Sequence, residues 1–274
     1  EMESFMFAKR FMSAVVLLAF AVVALVGGGT FLLAMSVVVA LAGTYEFLRV
    51  DHMNKTVPGC ICYVSVIGFY LMLFWHQTYM LELWLVLVIL LLLSAYVFVY
   101  PRYHIHNMGV CLFSVLYVGV LVSYVYQTRT LSGGNWVVWL IVISASGSDT
   151  FAYLTGILMG KHHFSELSPK KTIEGCVGGV IGAAILALVY SFVIPEGILA
   201  STSANIHVLF ACIGAMGSVV SQIGDLAASA VKRNFGIKDY SNLIPGHGGI
   251  LDRFDSILFV APLVYYVSLW LIKG

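Results

Sequence analysis

The sequence predicts an all-α, polytopic integral membrane protein, a helical bundle of about nine transmembrane helices. Three observations carry that expectation. Hydrophobic residues make up 61% of the 274 residues and charged residues only 10%, against about 25% charged in a soluble domain, so there is too little charge to coat a water-facing surface. The apolar residues fall in blocks of about 17–25, the length that crosses ~30 Å of hydrocarbon at ~1.5 Å per residue. The Lys and Arg residues sort to one side of those blocks.

In chain order the spans read as 11–27, 29–48, 58–75, 80–100, 108–126, 136–159, 174–194, 206–232 and 254–272. Lys9 and Arg10 ahead of the first block imitate a signal peptide, but the same apolar pattern repeats along the chain, which favours a first membrane helix. An odd number of spans puts the termini on opposite sides. With the N-terminus inside, every one of the fourteen Lys and Arg residues except Arg129 and Lys273 is cytoplasmic, as the positive-inside rule requires. That orientation places the two most polar loops, 160–173 and 233–251, where nucleotides are. Residues 1–130 are expected to be scaffold helices making dimer or lipid contacts, and 131–274 the catalytic region. Gly27-Gly28-Gly29 and Gly178-Gly179 suit close helix approach or a turn.

Several classes are excluded or weakened. No basic stripe is present, so no nucleic-acid partner is expected. Cys60, Cys62, Cys111, Cys176 and Cys212 lie in apolar stretches, and Cys60-x-Cys62 lacks a second pair at zinc-site spacing, so they read as buried free thiols. His104-x-His106 and His162-His163 lack partner ligands. Glu46, in Tyr45-Glu-Phe-Leu-Arg49, reads as a local partner of Arg49.

The chemistry concentrates in 225–256. Asp225, Ser229 and Lys232 stand at i, i+4 and i+7 on one helix face, with Arg233 beside them. That helix is ~40 Å long by rise per residue, so its last turns reach the headgroup level. Asp252 and Asp255, at i and i+3, open the last span on a shared face, so carboxylates from two helix ends are placed to converge. Mg²⁺ takes one or two carboxylates with substrate phosphates and waters, Lys and Arg neutralise phosphate oxygens, and glycines at 246, 248 and 249 admit backbone N–H groups close to an anion. His247 suits phosphate donation or proton movement. For any one of these residues a salt bridge or interfacial anchor is an equal reading; the cluster points to metal-bound polyphosphate.

A second polar segment spans 144–175. Ser146, Asp149, Thr150 and Tyr153 share a helix face directed to a wet cavity. The loop after it carries Lys161, Ser168, Lys170, Lys171 and Thr172. Lys170 and Lys171 suit a phosphate or the membrane interface, and Glu174 a helix N-terminal charge.

Residues 229–255, SAVKRNFGIKDYSNLIPGHGGILDRFD, resemble the hallmark motif of the phosphatidate cytidylyltransferases, or CDP-diacylglycerol synthases: Ser-x-x-Lys-Arg, four residues, Lys-Asp, then Pro-x-His-Gly-Gly and Asp-Arg-x-Asp. Gly224-Asp225, Ser168-Pro-Lys-Lys-Thr172 and Glu174-Gly175 also fit the family pattern. The stretch DTFAYLTGILMGK at 149–161 is similar to the family's Asp-Thr-Gly-Ala-Tyr…Gly-Lys segment, with Phe151 where Gly is usual and Ile157 where a basic residue is common. The resemblance covers roughly 135–272.

That resemblance implies transfer of CMP from CTP to phosphatidic acid in the bilayer, giving CDP-diacylglycerol and pyrophosphate, by a homodimer. The lean size and absence of targeting extensions suggest a bacterial inner membrane, with a eukaryotic organelle as the alternative. The resemblance implies Mg²⁺, alone or with a second cation such as K⁺, held by Asp225 and Asp252 with Asp149 or Asp255. Lys232, Arg233 and Lys238 would face the leaving pyrophosphate. Ser229, His247, Gly248, Gly249, Arg253, Lys170 and Lys171 would bind substrate. Two other readings use the same residues: a CTP-dependent kinase of a membrane alcohol, in which attack falls on the γ-phosphorus, and a cation transporter relaying through Asp149, Asp225 and Asp252.

Overall fold

The computed structural model describes residues 16, 19–165, 167–195, 205–244 and 248–273. Eight helices among them are long and apolar enough to cross a membrane, and the chain is a polytopic helical membrane protein. In order they are α1 (Gly29–Val50), α2 (Val57–Phe74), α3 (Leu81–Phe98), α4 (Ile105–Thr130), α5 (Gly134–Met159), α6 (Ile173–Ser191), α7 (Ile206–Asn234) and α8 (Leu251–Lys273). They coincide with the last eight expected spans. Of the first expected span, 11–27, residues 19–27 are helical, while 11–15, 17 and 18 lie outside the described residues. Between α5 and α6 the chain forms a two-stranded antiparallel ribbon, β1 (His163–Ser165) and β2 (Ser168–Thr172), which the apolar pattern does not announce. Large side chains stand on the outer surface, with Phe98 87%, Leu158 80% and Trp270 74% exposed; such a surface suits hydrocarbon, where only backbone satisfied within helices is tolerated.

The helices fall into two units. One holds the described residues up to Ser123 together with Phe235–Arg253. Its core includes Leu32, Phe47, Leu48, Val66, Val88 and Val118. The hydroxyl of Thr56 caps α2 by accepting from Gly59 N at 3.2 Å, satisfying one of the four N–H groups a helix start leaves open. Trp84 of α3 donates its indole N–H to the Ser65 carbonyl of α2 at 3.0 Å. The middle of α4 loosens into a π-helical stretch at Val115–Val120. The loop after α7 and the first turn of α8 belong to this unit.

The second unit holds Tyr124–Asn234 and the chain from Phe254 onward. Helices α5, α6 and α7 pack closely along small residues, Gly147, Gly179, Ala183, Gly214 and Gly217, each with a neighbouring helix inside van der Waals reach. Helix association without a hydrophobic driving force depends on such close packing. At the far end of this unit Tyr124 and Tyr266 share a hydroxyl hydrogen bond of 2.8 Å.

Candidate active site

In the second unit, the last three turns of α7 present Asp225, Ser229 and Lys232, while Gly224 and Ala228 of the same turns are buried. This is the face that the spacing anticipated. The ribbon brings a cation to it: Lys171 of β2 forms an ion pair with Asp225, the two side chains being 23% and 30% exposed. Lys171 is held there because Thr172, the next residue, caps α6 by accepting from Gly175 N at 3.1 Å. Glu174 in the first turn of α6 accepts from the Lys161 and His162 amides at 3.1 and 3.2 Å and contacts His162 Nδ1 at 2.6 Å. That carboxylate therefore folds the start of the ribbon as well as suiting the positive end of a helix.

Asp255 of α8 is buried, 8% exposed, with Asp225, Lys232 and Asp149 within electrostatic reach. Three carboxylates and two lysines thus gather from α5, β2, α7 and α8. Beside them lies a cavity of about 380 Å³ lined by Asp149, Tyr153 and Gly156 of α5, Ser168, Lys171 and Thr172 of the ribbon, and Gln222 of α7. Small-molecule sites occupy ~300–1,000 Å³. Asp149 and Tyr153 face this cavity, as their shared helix face suggests.

A buried hydroxyl layer supports the cluster, and the sequence reading missed it. Ser218 donates to Ser148 at 2.7 Å, and the Gln222 amide donates to the Cys176 carbonyl at 3.0 Å and to both serines at 3.3 Å. Ser144 and Ser221 are also buried, their hydroxyls without a hydrogen-bond partner among the described residues. The signal was present as Ser144 and Ser148 at i, i+4 and as Ser218, Ser221, Gln222 and Asp225 along α7. Ser144 and Ser148 lie on a face of α5 other than the one bearing Asp149.

The first unit carries the rest of the signature. Asp252 Oδ2 accepts from Tyr240 N at 2.9 Å and Gly249 N at 3.0 Å, holding the loop before α8. Gly248 has φ of +80°, where L side chains are strained, and Ile244 N donates to its carbonyl at 2.9 Å. Lys238 and Arg253 are exposed, as is Arg233 near the end of α7 in the second unit. His247 and the Lys170 side chain fall outside the described residues.

Glu46 corrects an expectation. It does not serve Arg49; its carboxylate accepts from Ser241 Oγ at 2.5 Å, Ile250 N at 3.0 Å and Leu251 N at 2.8 Å. A local pairing was the natural reading because these partners lie about two hundred residues away. The cysteines are free thiols. Cys62 and Cys111 are buried as expected, whereas Cys60 and Cys212 sit on the outer surface.

Residues 8–271 match the model of the cytidylyltransferase family. The chain belongs to the cytidylyltransferase family. Phosphatidate cytidylyltransferase from Staphylococcus haemolyticus (strain JCSC1435) is 35% identical over 260 residues, covering 93% of this chain and 96% of that protein. Those of Staphylococcus saprophyticus subsp. saprophyticus and Staphylococcus aureus (strain COL) are 34% and 35% identical over 263 and 264 residues, with the same coverage. The match extends through the first 130 residues, beyond the region in which motifs were readable.

For a cytidylyltransferase the donor chemistry fits Mg²⁺. The gathered side chains offer hard carboxylate oxygens set beside lysines. Among the described residues no three His, Cys, Asp or Glu side chains close a metal cage. An ion that takes one or two carboxylates and completes its shell with substrate phosphates and water needs no such cage.

Proposed function

We infer that this cytidylyltransferase transfers CMP from CTP to phosphatidic acid, giving CDP-diacylglycerol and pyrophosphate for phospholipid biosynthesis. The observation that carries the reading is identity of about a third across 93% of the chain to enzymes named for that reaction. The cluster of Asp149, Lys171, Asp225, Lys232 and Asp255 supports it.

A phosphate oxygen of phosphatidic acid attacks the α-phosphorus of CTP. The new P–O bond forms as the bond from the α-phosphorus to the bridging α–β oxygen breaks, and that electron pair leaves on pyrophosphate. Both reactants are anions, so the protein's task is positioning and cancelling repulsion. Lys171 and Lys232 flank the carboxylates and would bind phosphate oxygens. Arg233, Lys238, Arg253 and Lys170 would add positive charge, bidentate where arginine is used. Gly248 would present its backbone N–H, while that of Gly249 donates to Asp252 Oδ2 at 3.0 Å and so would shape the turn. The attacking phosphate is already ionised near neutral pH, so no strong base is required, and His247 is assigned to phosphate binding or the turn. Asp225 and Asp255 would hold Mg²⁺, with Asp149 in reach and Asp252 the remaining candidate ligand; a second cation such as K⁺ belongs to the same proposal. When bound, Mg²⁺ would neutralise phosphate charge and polarise the reacting phosphorus.

The protein is proposed to be a homodimer of a bacterial inner membrane, with N-terminus and site on the cytoplasmic side, from the family resemblance and the Lys/Arg asymmetry. Light scattering in detergent giving one protomer mass would contradict the dimer. A C-terminal reporter active in the cytoplasm would contradict the orientation. The reaction is tested by incubating the purified protein with CTP, phosphatidic acid and Mg²⁺ and analysing lipids by mass spectrometry. CDP-diacylglycerol is expected; its absence with folded protein would contradict the reading.

A further inference from the structure

We propose that Glu46, in α1, is a positioning residue for the reaction, a carboxylate that clamps the signature loop 241–251 and the first turn of α8. The inference rests on the cytidylyltransferase reading for its catalytic consequence; the clamp itself is geometric.

Glu46 is 2% exposed, among the largest fully buried side chains of the chain. A buried carboxylate is costly unless its lone pairs are met. Here three donors meet them, all from one segment: the Ser241 hydroxyl at 2.5 Å, Ile250 N at 3.0 Å and Leu251 N at 2.8 Å. Two of these are backbone N–H groups at the start of α8, the groups a helix leaves without intrahelical partners. A negative charge there also meets the positive end of the helix. Charge-assisted bonds to backbone N–H are roughly twice as strong as neutral ones.

The surroundings are shaped for this carboxylate. A Cβ at Gly249 would lie 2.5 Å from Glu46 Oε2, so only glycine lets the loop close over it. The next residue of α1, Phe47, stacks on Tyr240 with ring centroids 6.1 Å apart and 29° between planes. The Tyr240 amide in turn donates to Asp252. Consecutive residues of α1 therefore grip both ends of the loop, and Asp252 ties its ends together. Gly248, Asp252 and Arg253 are assigned to phosphate and metal; Glu46 acts through them.

Reaction rates fall about a hundredfold when a mutation displaces reacting groups by ~1 Å. Loss of the clamp therefore appears in catalysis and in CTP binding, not only in stability. Glu46→Gln keeps the size and one acceptor oxygen but sets an NH₂ against the Leu251 N–H. Glu46→Ala leaves all three donors unmet. Exposed Glu82, in the first turn of α3, supplies Glu82→Gln as the control for loss of a carboxylate.

The test is made on the full chain purified in detergent, by steady-state kinetics with CTP and phosphatidic acid and by hydrogen exchange on peptides covering 241–251. The expected result is a fall in kcat/KM for CTP of about tenfold in Glu46→Gln and about a hundredfold in Glu46→Ala, with the KM for CTP raised in both. Loop amides exchange faster in the same order, and Glu82→Gln matches wild type. A merely structural role lowers the active fraction and leaves KM unchanged. A wild-type KM for CTP in Glu46→Gln, or unaltered loop exchange, would overturn the proposal. If Glu46→Ala does not fold, Glu46→Gln decides alone. Wild-type transfer of CMP to lipid reports on the reaction separately: its failure overturns the cytidylyltransferase reading, while the exchange data still judge the clamp.

Discussion

Replacing Asp225 with Asn separates chemistry from stability. Asp225 pairs with Lys171, the two side chains being 30% and 23% exposed. The Lys171 Nζ is nevertheless buried, so weakening the pair costs about 1–3 kcal/mol of stability, or roughly 2–12 °C of melting temperature for a chain of this size. Asparagine keeps the shape and an amide oxygen to accept from Lys171, whose Nζ is buried. The catalytic loss is larger. Removing one preorganised electrostatic group from a reacting phosphate costs about 2.7–4 kcal/mol, or 10²–10³ in rate. Asp225→Asn is therefore expected to stay folded, with a melting temperature lowered by no more than about 12 °C, while losing at least two orders of magnitude in kcat/KM, measured by CMP transfer to phosphatidic acid. Lys171→Ala in the Asp225→Asn background should cost less than Lys171→Ala alone, because the two groups act as a unit. A folded Asp225→Asn enzyme retaining more than about a tenth of wild-type turnover would refute the placement of the reaction at this cluster.

Three further outcomes follow from the same geometry. Ser218→Val removes a fully buried hydroxyl that donates to Ser148 at 2.7 Å, and should cost about 1–3 kcal/mol of stability, read as a lower melting temperature in a thermal-shift assay; an unchanged melting point would show the layer to be dispensable. Gly249→Ala forces a methyl against Glu46 and should lower kcat/KM by about tenfold or more, with faster exchange of the loop amides; wild-type kinetics would contradict the close approach. EDTA should abolish transfer and added Mg²⁺ restore it; full turnover in EDTA would remove the metal from the account.

The spans were legible because an uninterrupted apolar run of about twenty residues has few alternatives in a chain with so little charge. The α7 face bearing Asp225, Ser229 and Lys232 was legible because helical spacing alone fixes it. Other features depend on tertiary contacts that no local pattern announces. Glu46 meets its partners across about two hundred residues of sequence. The ribbon at 163–172 is too short and polar for a period to show, yet it delivers Lys171. The Ser144, Ser148, Ser218 and Ser221 layer is silent because serine fits a buried helix face or an exposed one equally well, and only helix packing decides. Phe151, where the family usually has glycine, lies directly against Gly182 of α6: space given up on one helix is recovered on its neighbour.

The central claim is that the α-phosphorus of CTP, with its cytidine, passes to lipid. Parallel reactions of the purified protein with α-³²P and γ-³²P CTP, phosphatidic acid and Mg²⁺ test it most directly. Label in the lipid from α-³²P CTP, and in pyrophosphate from γ-³²P CTP, is the predicted result. Label entering lipid from γ-³²P CTP, or from neither, would contradict it.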